Sequence, residues 1–223
     1  MRVVLLDNRD SFVYNLVDQF ASSGASIEVY RNTLEAGRIL DALAPPHDDG
    51  TGRDRPILVL SPGPGHPAEA GCLMELLDAA LSRAIPTLGI CLGFQALVTA
   101  CAGAVARISP VHGKSTRVEL TEEGRADPVL SQLHEPLHVA RYHSLGTRRL
   151  PAALVPLART PPEDPAGPGV VMAARHRRLP ALGLQFHPES LLTPQGPALL
   201  TALTEELAQS GAEAPRTRPG RSR

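Results

Sequence analysis

Residues Thr87 to Leu97 read TLGICLGFQAL, an apolar run that meets a helical pattern at a single cysteine, Cys91, with Gly89 and Gly93 two residues to either side. A strand ending at Ile90 and a helix beginning at about Leu92 leave Cys91 on a sharp turn, its side chain lifted above the edge of a sheet. Residues flanking such a strained position must lack bulk, and glycine meets that condition. The free N–H groups of the helix start favour the thiolate, and the N–H of Leu92 is placed to bind a developing oxyanion. Gln95, one turn on, faces the same site and offers an amide to a polar ligand. The other two cysteines lack these surroundings: Cys72 lies in the helical stretch EAGCLMELL and Cys101 at a helix end, and both read as structural.

Working outward, the first third of the chain alternates apolar runs with helical patterns. VVLL precedes SFVYNLVDQFA, SIEVY precedes a weaker helix from Leu34 to Leu43, and ILVL at Ile57 to Leu60 precedes a helix that ends near Ser82. This alternation predicts an α/β fold, an open and mostly parallel sheet with helices on both faces. Ligands gather at the carboxyl ends of strands in such sheets, where SPGPG and GICLG both fall. From about Val105 to Leu184 shorter runs (STRVEL, LHVARY, ALVPLA, VVMAAR, ALGLQF) punctuated by Gly and Pro predict hairpins or a mixed sheet, a smaller antiparallel region beside the parallel one. GPALLTALTEELAQ reads as a closing helix. One domain over residues 1 to 207 is expected, with a surface loop from Pro45 to Pro56 and a disordered basic tail from 208 to 223.

The 223 residues suffice for a core without disulfides, and 43% hydrophobic with 20% charged residues is ordinary for a globular protein. A formal net charge of −1 gives no global field toward nucleic acid or an anionic membrane. The apolar run at the N-terminus is too short for a signal core, and nowhere do enough apolar residues follow one another to span a bilayer, so a soluble, cytoplasmic protein is expected. Three cysteines without metal-ligand spacing suggest neither a disulfide framework nor a zinc site.

A thiolate nucleophile needs a base. Of the eight histidines, His187 in GLQFHPES stands out, because Pro188 stops the strand and Glu189 follows two residues on. In an extended backbone those two side chains point the same way, so the carboxylate can orient the imidazole and the imidazole can activate sulfur. His47, His134, His138 and His176 have no such neighbours. In Ser61-Pro62-Gly63-Pro64-Gly65 the prolines fix a turn and the glycines let a ligand approach the backbone, leaving the N–H of Gly63 as a second oxyanion donor. A phosphate loop is the weaker reading, since neither GxGxxG after the first strand nor GxxxxGK[ST] occurs.

With LLDNRDSFVYNL, SPGPGHPAEAG, GICLGFQAL, HGKS, ARYHSL and GLQFHPESLLTPQG in this order, the sequence resembles the class I (triad) glutamine amidotransferases over roughly residues 2 to 207. Within them it is most similar to small subunits of anthranilate synthases. The resemblance implies that Cys91 is the nucleophile, His187 the general base and acid, and Glu189 the orienting carboxylate. It further implies that Gly63, Pro64, Gly65, Gln95, Ser144 and Leu145 bind glutamine, although patterning alone makes Ser144 and Leu145 a loop. The implied activity is hydrolysis of L-glutamine through a cysteine thioester. The ammonia would pass to a separate chorismate-binding large subunit that carries magnesium and forms anthranilate for tryptophan synthesis, with no cofactor or metal on this chain. The glutaminase subunit of aminodeoxychorismate synthase, in folate synthesis, shares every motif and is the rival within the family. DNRDSF, HGKS and YHSL would contact the partner. Phe94 stands where family members commonly carry histidine, at a position that does not hold substrate.

Overall fold

The computed structural model describes residues 1–44, 56–111, 113–165 and 167–212. The expected Pro45 to Pro56 loop (except Pro56), His47, His112 of HGKS and the tail from 213 onward lie outside them.

β1 (Arg2–Asp7), α1 (Val13–Ser22), β2 (Ser26–Arg31), α2 (Ala36–Ala42), β3 (Ile57–Leu60), α3 (Leu73–Ser82), β4 (Thr87–Ile90) and α4 (Leu92–Ala100) build the first half. β5 (Ala106–Arg107), β6 (Lys114–Leu120), α5 (Glu122–Ala126), β7 (Leu137–Arg141), β8 (Leu145–Gly146), β9 (Leu154–Arg159), β10 (Val171–His176), β11 (Ala181–Leu184) and α6 (Gly196–Ala212) follow. Nine strands form one sheet in the order β2-β1-β3-β4-β11-β10-β9-β6-β7. The pairs from β2 through β11 are parallel. Those from β11 outward are antiparallel. The hairpin region therefore extends the parallel sheet through β11 into one mixed sheet. Among the described residues only β5 and β8 pair apart from it.

The apolar runs of β1 and β3 are continuous because each strand is covered on both faces. Val3, Leu5, Ile57 and Val59 join the core under α1 and α6, with Leu16, Phe20, Leu203 and Leu207. Val4, Leu6, Leu58 and Leu60 join the core under α2, α3 and α4, with Ile39, Leu73, Leu77 and Leu97. α1 buries Val13, Leu16 and Phe20, the stripe expected of an amphipathic helix, and the Asp10 carboxylate accepts the Phe12 N–H at 2.6 Å just before it. Phe94 is fully buried against the backbone of Gly183 on the second face. It is a core residue and does not line the cleft. The closing helix continues through Ala212, past the domain boundary expected at 207.

Candidate active site

Strand β4 delivers the chain to Cys91, which adopts φ 51° and ψ −95°. A non-glycine residue there carries strain of roughly 1–3 kcal/mol, held in place by its surroundings. Those surroundings are explicit: the Cys91 N–H donates to Leu184 O at 2.7 Å, and its carbonyl accepts the Gln95 N–H at 3.0 Å as the first turn of α4. The glycine escort has a packing cause. A Cβ on Gly89 would lie 2.5 Å from the Gly93 carbonyl, and one on Gly93 would lie 2.5 Å from Leu60 O. The helix start thus rests directly on the ends of β4 and β3.

His187 and Glu189 meet as expected, but by a different route. β11 ends at Leu184, three residues before the histidine. His187 makes an isolated bridge to Ala140, donating its N–H to Ala140 O at 3.1 Å, and Pro188 and Glu189 form a turn. The turn, not an extended strand, brings Glu189 Oε1 to 2.6 Å from His187 Nδ1. Thr193 locks it by donating to His187 O at 2.7 Å and accepting from Ala140 N at 2.9 Å. Tyr142 and Phe12 close over the imidazole, with ring centroids 5.0 and 5.8 Å away. His187 is 3% exposed. Burial opposes its charge, yet attraction to Cys91, with Glu189 behind it, holds the imidazole well above its ordinary range. His187 Nε2, buried and without a hydrogen-bond partner among the described residues, is the ring nitrogen left for the thiol, and a thiolate–imidazolium pair backed by a carboxylate is an arrangement able to attack a carbonyl and return a proton to a leaving group.

A cleft of about 1000 Å³ opens beside the thiol. Its wall includes Gly63, Pro64, Gly65, Cys91, Gln95, Ser144 and Leu145, so the sequence-derived binding residues converge on one space. Leu92 does not line it; that side chain is buried, pressed against Gly63. Leu145 belongs to the small β5–β8 ribbon, and Gln95 fastens that ribbon by donating to Leu145 O at 3.1 Å.

Several residues at the site escaped the sequence reading. Asn8 and Ser61 anchor the SPGPG turn: Ser61 Oγ accepts the Asn8 N–H at 2.9 Å, and Asn8 Nδ2 donates to Ser61 O at 3.0 Å. Asp7 and Asn8 are thus buried, which leaves Arg9 and Ser11 as exposed parts of DNRDSF. His143 lines the cleft and is 4% exposed, with Nδ1 2.9 Å from Leu145 O. Burial, reinforced by Arg141, pushes its pKa down to about 3, so the ring is neutral. Arg141 is fully buried and paired with Asp164 at 3.1 Å. Gln185, fully buried after β11, faces the Cys91 sulfur. The one sequence signal for it is its place in GLQFHPES, two residues before the histidine.

Residues 4–206 match the family model described as "Glutamine amidotransferase class-I". The chain is 43% identical over 217 residues to "Anthranilate synthase component 2" of Corynebacterium glutamicum, covering 92% of this chain and 97% of that one. It is 46% identical over 201 residues to "Anthranilate synthase component 2, pyocyanine specific" of Pseudomonas aeruginosa, covering 90% and 91%. Among solved structures, a glutamine amidotransferase of Thermotoga maritima aligns with a TM-score of 0.66 at 17% identity, over 94% of this chain and 98% of that one. At that identity the likeness concerns the fold alone.

Proposed function

This chain belongs to the class-I glutamine amidotransferase family, and on that premise we propose that it is the glutamine-hydrolysing component of an anthranilate synthase. The observation that carries the reading is the strained elbow cysteine at the wall of a cleft, together with a buried His187–Glu189 pair whose Nε2 has no partner of its own among the described residues. Cys91 attacks the side-chain carboxamide of glutamine, and the N–H groups of Leu92 and Gly63 receive the oxyanion. His187, steered by Glu189, protonates the departing nitrogen. Ammonia leaves, and water then cleaves the glutamyl thioester to release glutamate. Gly63, Pro64, Gly65, Gln95, Ser144 and Leu145 hold the substrate, with Leu92 contributing its backbone rather than its side chain.

Free ammonia is mostly protonated near neutral pH and then not nucleophilic, so its use calls for transfer inside a complex. The acceptor is a large subunit that binds chorismate and magnesium and forms anthranilate, in the cytoplasm, for tryptophan synthesis. Leu191, 99% exposed two residues after Glu189, and Tyr14, 74% exposed on α1, are apolar groups suited to burial against that partner. Exposed Arg9 and Ser11 and the YHSL turn complete the face.

Mixing the chain with an anthranilate synthase large subunit should yield glutamine-dependent anthranilate. Cys91→Ser should remove it while leaving ammonia-driven synthesis by the complex intact. Loss of both activities, or productive coupling only with an aminodeoxychorismate synthase large subunit to give the para-substituted product, overturns the proposal.

A further inference from the structure

Behind the thiol lies a buried chain of amides that the triad does not use. Gln95 Nε2 donates twice, to Leu145 O at 3.1 Å and to Gln185 Oε1 at 3.3 Å. Gln185 Nε2 then reaches Cys91 Sγ at 3.7 Å, within range for a sulfur acceptor. The direction of this relay is dictated by chemistry. A backbone carbonyl only accepts, so the nitrogen of Gln95 must face Leu145; its second hydrogen then meets the oxygen of Gln185, which turns the Gln185 nitrogen toward sulfur. Neither amide can rotate to solvent, since Gln185 is fully buried and Gln95 is 3% exposed.

We propose that Gln185 is a further catalytic residue, donating a hydrogen bond to the Cys91 sulfur and stabilising its thiolate, with its orientation set through Gln95 by the Leu145 main chain. A buried donor fixed on a developing charge contributes more than a solvent-exposed one, because it is desolvated and already oriented. Gln95 and Leu145 both line the cleft, so the relay ties the thiolate's donor to the wall that meets the ligand. The inference deepens the glutaminase reading and rests on it for its role in turnover.

The test needs neither glutamine nor a partner: alkylation of the full-length chain by iodoacetamide across pH, with each thiol followed by peptide mapping. Cys72 and Cys101 serve as internal references, both being thiols that burial pushes up. In Gln185→Leu the Cys91 profile should move to higher pH by about one unit, a tenfold loss of thiolate, the scale of a hydrogen bond to a charged group. The Cys72 and Cys101 profiles should not move. Gln185→Met, which keeps the length of the side chain but carries no donor, should move Cys91 about as far, and Gln95→Met should move it by a smaller amount in the same direction. A Cys91 profile unchanged in Gln185→Met overturns the proposal, and one unchanged in Gln95→Met overturns the relay through Gln95. If reconstitution yields no anthranilate while these shifts appear, the pathway reading fails and the thiolate donor stands.

Discussion

Gly93→Ala is the substitution on which helix propensity and packing disagree most sharply. Propensity alone favours alanine in a helix by ~1 kcal/mol. The added Cβ, however, would sit 2.5 Å from Leu60 O and 2.7 Å from Leu60 Cβ, against contacts of 3.4 Å or more that are ordinary. Both atoms belong to the end of β3, part of the central sheet, so the start of α4 must yield by about 0.9 Å to restore normal contact. Overpacking of this kind costs ~1–3 kcal/mol, which outweighs the propensity gain and lowers Tm by several degrees for a chain of this size. The same displacement moves the Cys91 sulfur and the Leu92 N–H away from Gly63, and a misplacement near 1 Å is enough for a loss of ~10²-fold in kcat/KM. Gly37→Ala is the control: it lies in α2 with no atom within 4 Å of the new Cβ, so it should gain a few tenths of a kcal/mol and leave activity unchanged. Thermal melts of the chain and glutamine-dependent turnover in the reconstituted complex measure both effects. Gly93→Ala with wild-type Tm and turnover would refute the claim that the helix start is seated on β3.

Glu189→Gln keeps the shape of the turn but removes the carboxylate 2.6 Å from His187; glutamine-dependent kcat should fall by ~10²–10⁴-fold while ammonia-driven synthesis persists, which parallel assays will read. Acid stability should carry the signature of His143, whose pKa is lowered from 6.5 to about 3. Below pH 6.5 the unfolded chain takes up a proton that the folded chain refuses until about pH 3, so this contribution is complete above 6.5 and is lost as pH falls, at ~1.4 kcal/mol per pH unit. Urea denaturation between pH 6.5 and 4 should show a shallower slope in His143→Gln; an unchanged slope would rule the ring out as its source.

The parallel half of the fold was legible because its strands are buried on both faces and its helices carry one apolar stripe, so both periods stand out in the sequence. The sharp turn at Cys91 was legible for the same reason that it is strained: Gly89 and Gly93 record the close approach of β4, α4 and β3. Other features depend on contacts distant in sequence. Asn8 reads as part of a surface motif until Ser61, from another strand, is found against it. Gln185 reads as a strand residue until Gln95 fixes which end of its amide meets sulfur. The two-residue β8 is too short for any periodicity, and its position follows from pairing with Ala106 and Arg107. The His187–Glu189 contact was expected from strand alternation and arises from a turn instead, because β11 ends at Leu184 and the chain bends before it reaches the histidine.

The central claim is that one thiol, activated by His187, forms a covalent bond with glutamine's side-chain carbonyl carbon. Its most direct measurement is the site and rate of labelling by a glutamine-analogue electrophile, followed by intact mass and peptide mapping in the complex with a large subunit. The account predicts one adduct, on Cys91, protected by glutamine and slowed by orders of magnitude in His187→Gln. Adducts on Cys72 or Cys101, or equal labelling of Cys91 without the imidazole, would contradict it.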